Sequence, residues 1–183
     1  FYERSQAIRE EVLGPGHPDV AVTLNNRAGL LERQGKYEEA EPLYRRSLAI
    51  NEKVLGPNHP EVATVLNNWA GLLKIQGKYA EAEPFYGRAQ ALREKVLGPD
   101  HPDVAATLND RAGLLERQGK YEEAEPLFKR SLAIDEKVYG LDHPEVATDL
   151  NNWAGLLETQ EKYTGAIPLL ERALSILTKR LGF

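Results

Sequence analysis

The 183-residue sequence contains no cysteine and no methionine. Without cysteine the chain can form neither a disulfide framework nor a thiolate metal site, which fits a reducing compartment and predicts a cytoplasmic protein. Because methionine is missing even at position 1, we expect the chain to be a piece of a longer protein. The sequence also lacks an Asn-x-Ser/Thr glycosylation site, a signal peptide and any membrane-length apolar run, so we expect no secretion and no membrane partner.

An excess of positive charge is missing as well. The formal net charge is -5 and the sequence pI is about 5.5. Nucleic-acid-binding modules carry a basic footprint, so the charge predicts no nucleic-acid partner. The hydrophobic content of 42% and the charged content of 28% are typical of a folded protein.

The dominant feature of the sequence is an internal repeat. His-Pro pairs begin at positions 17, 59, 101 and 143, a constant step of 42 residues, and the Lys-Tyr pairs keep the same step. A fixed step of this length predicts stacked repeats, which usually form a binding surface instead of a pocket. We expect a single array with the following parts: 1–14, the second helix of a truncated repeat; 15–56, repeat 1; 57–98, repeat 2; 99–140, repeat 3; and 141–183, an atypical terminal repeat 4.

Each repeat predicts two helices. Pro18 suits the first helical position, and apolar residues follow it at helical spacing. Gly35 stands where that helix must turn left-handed to end, and the second helix begins near Tyr37. The pattern predicts an all-α, right-handed superhelical solenoid of antiparallel helix pairs. Residues 27, 69, 111 and 153 alternate between Arg and Trp, which indicates that an 84-residue pair of repeats was duplicated.

The small residues Ala28, Ala40 and Ser47 resemble those of the tetratricopeptide repeat, which is usually 34 residues long. The 42-residue form resembles the repeats of kinesin light chains, in which Leu-Asn-Asn at 66–68 and Gly-Lys-Tyr-x-Glu-Ala-Glu-Pro at 77–84 recur. Similar arrays lie beside nucleotide-binding switch domains in large sensor proteins. The resemblance implies a protein-interaction scaffold, whose first helices line a concave groove for an extended peptide or protein segment.

The resemblance puts one asparagine of each first helix on the groove face: Asn25, Asn67, Asn109 and Asn151. A carboxamide offers both a donor and an acceptor, so each could clamp one unit of a peptide backbone. One glycine per repeat would let that backbone approach closely: Gly29, Gly71, Gly113 and Gly155. The alternative is that the asparagines only join neighbouring helices by hydrogen bonds.

Basic side chains flank these asparagines. Arg33, Lys74 and Arg117 could form a cationic strip that selects acidic groups, or a solvated face with weak local pairing to glutamates. The Arg and Trp residues that alternate along one row could pack between adjacent repeats or anchor a ligand.

No residue pattern points to catalysis. The four histidines lie one per repeat, too far apart to converge on one metal ion, and are predicted to order the loop and the helix start. We find no nucleophile motif, phosphate loop or metal cluster, and therefore expect no enzyme, no catalytic residue, no cofactor and no metal.

The last repeat departs from the others. Glu161 replaces the helix-ending glycine, and a left-handed glutamate there would cost about 1 kcal/mol. The terminal helices are predicted to be exposed, and the first of them, with Tyr2, Ile8 and Val12, lacks its partner helix. This suggests a second function, a structural module that self-associates head to tail through those helices.

Overall fold

The computed structural model describes residues 2–181, which form nine α-helices and no strand. The helices are α1 (Tyr2–Leu13), α2 (Pro18–Arg33), α3 (Tyr37–Val54), α4 (Pro60–Ile75), α5 (Tyr79–Leu97), α6 (Pro102–Arg117), α7 (Tyr121–Tyr139), α8 (Pro144–Thr159) and α9 (Tyr163–Leu181). The even-numbered helices are the first helices of the four repeats. Their bounds agree closely with those predicted from the sequence.

Each first helix begins at a His-Pro pair. The histidine is the N-cap, and its Nδ1 accepts the backbone N–H two residues later at 3.1–3.2 Å. The proline occupies the first turn, where its missing N–H leaves no bond unmade. The predicted role of the histidines in ordering the helix start is confirmed.

Left-handed residues end the first helices. Gly35 has a φ of 74°, and the following Lys36 N–H donates to Leu31 O at 2.9 Å, which closes the last turn. In the last repeat Glu161 takes this place with a φ of 58°, and it is the one non-glycine residue with positive φ in the described range. The left-handed glutamate predicted from the sequence is therefore confirmed.

The chain divides into two compact units after Val96. In the first unit α1 packs on α2, α2 on α3 and α3 on α4, and α4 shares a hydrophobic cluster with α5. In the second unit α6 packs on α7, α7 on α8 and α8 on α9. The division falls between repeats 2 and 3, where the 84-residue period also divides the sequence.

The core uses the same positions in every repeat. Each first helix buries one Val, one Ala and one Leu: Val20, Ala21 and Leu24; Val62, Ala63 and Leu66; Val104, Ala105 and Leu108; Val146, Ala147 and Leu150. In the second unit the α8 members of this set pack against Leu132 of α7 and Ile176 of α9. A helix pair thus buries its apolar side chains only with help from its neighbour, as in other repeat proteins.

Candidate partner-binding face

Two of the four predicted asparagines join consecutive first helices. Asn68 Nδ2 donates to Asn25 Oδ1 at 3.1 Å in the first unit, and Asn152 Nδ2 donates to Asn109 Oδ1 at 3.2 Å in the second. The bonded residues are 43 positions apart, one more than the repeat step. This arrangement favours the alternative that the asparagines stabilise the stack. It uses only the oxygens of Asn25 and Asn109, so their N–H groups lie outside these bonds.

The four predicted asparagines differ in the exposure of their side chains. Asn67 is buried, Asn25 and Asn109 are half-buried, and Asn151 is exposed. A partner segment would therefore reach the four side chains unequally. The clamp stays a prediction, and its reachable donors are those of Asn25, Asn109 and Asn151.

The glycines on this face are not required by packing inside the chain. A Cβ built on Gly29 or Gly71 would lie 3.5 or 3.6 Å from a tyrosine hydroxyl of the second helix, an ordinary contact. A Cβ on Gly155 would meet no described atom within 4 Å. Gly113, at the same repeat position, is half-buried. Glycine in a helix interior costs about 1 kcal/mol relative to alanine, so these glycines need another explanation.

The predicted cationic strip has unequal members. Arg33 and Arg117 are exposed in the last turns of α2 and α6. Lys74 is half-buried, and its Nζ lies 5.9 Å from the centre of the Tyr86 ring. The two arginines expose their charge to solvent, whereas the Lys74 side chain covers an aromatic ring.

Glu32, in the last turn of α2, accepts a hydrogen bond from the Tyr44 hydroxyl at 3.1 Å. Burial, reinforced by the Glu32 carboxylate, raises the pKa of Tyr44 above its usual range. The tyrosine thus remains a neutral donor that ties α3 to the end of α2.

Both tryptophans pack against second helices. The Trp69 ring lies 4.8 Å from that of Phe85, and the Arg45 guanidinium lies 5.9 Å from the Trp69 ring centre. Lys129 Nζ lies 5.0 Å from the centre of the Trp153 ring. These contacts favour the packing interpretation. The cations over the rings come from the second helices, which the row of alternating Arg and Trp did not predict.

The structure also contains an acidic cavity that sequence reasoning missed. It has a volume of about 320 Å³ and lies in the second unit, where α6, α7 and α8 meet. Its lining residues are Pro102, Asp103, Ala106, Asn109, Asp110, Asp135, Tyr139, Glu145 and Asp149. One of them, Asn109, belongs to the predicted groove face, and Ala106 lies three residues before it on α6. A comparison of equivalent positions in the four repeats could have indicated this site, because Asp149 stands where the other repeats have Thr23, Val65 and Thr107.

Two buried carboxyl groups form the floor of this cavity. Asp149 is 3% exposed and Asp135 is 7% exposed. Ser131 Oγ lies 3.0 Å from Asp149 Oδ1 and 2.9 Å from Ala105 O, but it has one hydrogen for these two acceptors. Burial, and then the charge of Asp135, raise the pKa of Asp149 to about 7. Burial also raises the pKa of Asp135.

When both groups are ionised, no basic residue of the cavity lining balances their charge. Asp149 Oδ2 and Asp135 Oδ1 are then without a hydrogen-bond partner among the described residues, because each is only an acceptor. A proton on Asp149 joins the two carboxyl groups by a hydrogen bond. The cavity floor can therefore hold one proton at neutral pH.

Within residues 2–181, no three histidine or carboxylate side chains are arranged to hold a metal ion. No helix in that same range is both long and apolar enough to span a membrane.

Comparisons with known proteins agree on the fold. The model of the tetratricopeptide repeat family matches residues 1–53, 19–68, 61–137 and 103–179. A search among curated proteins found no match. The similar solved structures include a kinesin light chain-like protein of Podospora anserina with nearly identical TPR-like repeats. It has 24% identity and a TM-score of 0.81, over 100% of this chain and 86% of that chain.

Two further structures share the fold. BtubC (BKLC) from P. vanneervenii has 23% identity and a TM-score of 0.86, over 100% of this chain and 72% of its own. A Rap protein complexed with competence and sporulation factor has 17% identity and a TM-score of 0.82, over 97% of this chain and 47% of its own. The predicted fold class, an all-α solenoid of antiparallel helix pairs, is confirmed, and so is the resemblance to kinesin light chain repeats.

Proposed function

This chain belongs to the tetratricopeptide repeat family, and on that basis we propose that it is a protein-interaction scaffold that binds an extended peptide or protein segment along its first helices. The observation that carries the proposal is Gly155, an interior helical glycine on the predicted groove face. A Cβ added at this position would meet no atom within 4 Å in the described chain. A partner backbone could approach the helix closely at this point, because no side chain stands in its way.

Two further features support the same face. Asn25 and Asn109 are held in place through their oxygens, so their N–H groups are preorganised donors for a partner carbonyl. The Rap structure is a complex with competence and sporulation factor, which is a precedent for partner binding by this fold. The proposed role is one of binding, without catalysis.

The test begins with a random decapeptide display selection against the whole chain. Selected peptides are then titrated against wild type, the Gly71→Ala/Gly155→Ala variant and Gly87→Ala. Gly87 is a matched control, since it is an interior glycine with no described atom within 4 Å of its Cβ, but it lies on the second helix α5. We expect the double variant to lose about tenfold or more in affinity, about 1.4 kcal/mol, and the control to bind normally. Equal binding by all three, or no selected peptide, would overturn the proposal.

The asparagine clamp has its own matched pair. Asn109→Ala and Asn152→Ala both remove the bond between α6 and α8, but only the first removes the Asn109 donors. A larger loss of peptide affinity in Asn109→Ala is expected if the clamp exists. Equal losses would assign Asn109 to the stability of the stack alone.

We propose self-association as a second candidate function, because α9 exposes an apolar face. Leu174 is 62% exposed, whereas Leu132, at the same repeat position of α7, is 8% exposed and packs against α8. The face of α9 that corresponds to the buried face of α7 is therefore exposed, and the exposed Ile167 extends this apolar face. A second copy is the proposed occupant. Its α1, with Ile8 and Val12 exposed, offers an apolar surface in return.

Light scattering over a concentration series tests this second candidate. Wild type should gain mass as its concentration rises. The Leu174→Gln/Leu177→Arg variant should stay monomeric, because a polar and a charged side chain replace two exposed leucines of this face. A wild-type chain that is monomeric throughout would count against end-to-end association.

A further inference from the structure

We propose that the acidic cavity of the second unit receives a basic side chain, arginine or lysine, of the segment bound along the first helices. This inference rests on the proposed scaffold function and adds the chemistry of its partner. Ala106 and Asn109 of α6 line the cavity, so a segment that follows the groove face of α6 would pass beside it.

The charge of the lining is complementary to a cation. Five carboxyl groups line the cavity, and none of its described lining residues is basic. Tyr139 adds an aromatic ring that is 42% exposed and stacked on His143, with the ring centres 4.4 Å apart. Carboxylates beside an aromatic face are the surroundings in which guanidinium and ammonium groups bind.

The floor of the cavity supplies an independent indication of a ligand. Asp149 and Asp135 are more than nine-tenths buried, they line the cavity, and each has a carboxyl oxygen without a hydrogen-bond partner when both are ionised. Buried charges in proteins are normally paired. The cationic group of a bound side chain would pair with both carboxylates. Within the chain itself, the two groups share only a single proton. The described residues hold no metal-binding arrangement, so an organic cation fits better than a metal ion.

Binding of a cation should displace that proton. The groups that face the pair are Asp103 and Asp110 on α6, Tyr139 on α7, Glu145 on α8 and His143 in the preceding loop. The carboxylates among them favour a cation, and so does the ring of Tyr139. Affinity for the basic segment should therefore increase from pH 6 to pH 8, as the pair gives up its proton, and binding should release up to one proton.

The first arm of the test uses the full chain and a defined probe. N-acetylarginine amide, its neutral analogue N-acetylcitrulline amide, and spermidine are titrated while the carboxyl ¹³C resonance of Asp149 is followed by NMR across pH 5 to 9. We expect the arginine probe to lower the pH at which Asp149 ionises, with no effect of the citrulline probe. An equal effect of both probes, or an effect of spermidine alone, would overturn the assignment to a basic side chain.

The second arm uses the peptides selected for the scaffold test and the Asp135→Asn/Asp149→Thr variant. This variant is expected to fold, because Asn51 and Thr107 occupy the same two repeat positions in other repeats and are buried there. Peptides that bind the second unit should contain Arg or Lys and lose about tenfold or more in affinity, while Gly155→Ala affects them separately. Peptides that depend on Gly155 but bind this variant normally would overturn the cavity inference and leave the scaffold proposal standing. If no peptide is selected, the scaffold proposal is refuted, whatever the result of the probe titrations.

Discussion

Replacing Asp149 by threonine should stabilise the second unit at pH 8 by roughly 3 kcal/mol. The pKa of Asp149 is about 7 in the folded chain, against about 3.9 for an ordinary aspartate. Each unit of difference corresponds to about 1.4 kcal/mol, so ionisation of the pair costs the folded state about 4 kcal/mol. The lost hydrogen bond to Ser131 offsets about 1 kcal/mol of the gain. Threonine fits the position, because Thr107 is buried at its equivalent and donates to Asp103 O at 2.9 Å.

The sign of the effect depends on pH. The folded chain holds the Asp149 proton more tightly than the unfolded chain does, so this proton contributes full stability below about pH 4. That contribution is lost progressively as the pH rises to about 7 and stays lost above it. At pH 4 the variant should be about 1 kcal/mol less stable than wild type, since it lacks the hydrogen bonds of the protonated acid.

Urea unfolding of both proteins between pH 4 and pH 8, followed by circular dichroism, measures this difference. Hydrogen exchange in α7 and α8 should accompany it, because repeat proteins can unfold in parts. The difference between variant and wild type cancels carboxylates that respond in the opposite sense, such as Glu10, whose pKa is lowered chiefly by a hydrogen bond from Gln6. A difference that stays constant from pH 4 to pH 8 would refute the reasoning. Asp135→Asn, which removes the like charge, should reproduce part of the effect.

Three further sets of substitutions have expected effects on stability. His59→Ala should lower the free energy of unfolding by about 1 kcal/mol through loss of its cap, and His59→Asn should not; equal losses in urea melts would deny the capping role. Gly155→Ala and Gly87→Ala should each add about 1 kcal/mol, or about 2–4 °C in thermal unfolding, and a loss at either site would mean an unseen clash. Glu161→Gly should add about 1 kcal/mol and slow hydrogen exchange at the α8–α9 turn, whereas Gly119→Ala should do the reverse; faster exchange in Glu161→Gly would contradict the strain argument.

The helices and their ends could be predicted because their signals are local. A proline in the first turn, a histidine before it and a glycine after the last turn act on their own backbone, whatever packs nearby. Glu161 is the clearest case. Its left-handed conformation followed from its place in the repeat alone, and the structure has it at a φ of 58°.

The contacts of the candidate site could not be predicted, because they depend on how one repeat is placed against the next. Asn25 accepts a hydrogen bond from Asn68, a one-residue offset from the repeat step. The cations over the tryptophans, Arg45 and Lys129, come from second helices. Such pairings follow from the crossing of packed helices, which repeat spacing does not encode.

The acidic pair was missed for the same reason, and its position explains why repeats with one core can differ in function. The Val, Ala and Leu core positions are identical in all four repeats, since close-packed side chains must fill equal spaces. The positions of Asp135 and Asp149 lie beside a cavity and are free to vary. In the first unit these two positions hold Arg9 and Thr23, hydrogen-bonded at 2.7 Å, between α1 and α2, and Asn51 and Val65 between α3 and α4.

A basic residue of a bound segment would therefore be attracted at the junction of α7 and α8 and repelled at the junction of α1 and α2. Arg9 carries a guanidinium where α1 meets α2, whereas the same repeat positions carry two carboxyl groups where α7 meets α8. The asparagines and glycines of the groove face recur in every repeat, so contacts of a peptide backbone to them would distinguish one register from the next less sharply than charge does. Under the proposals above, the register of a bound segment is consequently set by charge at the junctions. A peptide whose single arginine is moved along its sequence should shift its position on the chain by whole repeats, and a peptide with that arginine replaced by citrulline should bind in several registers.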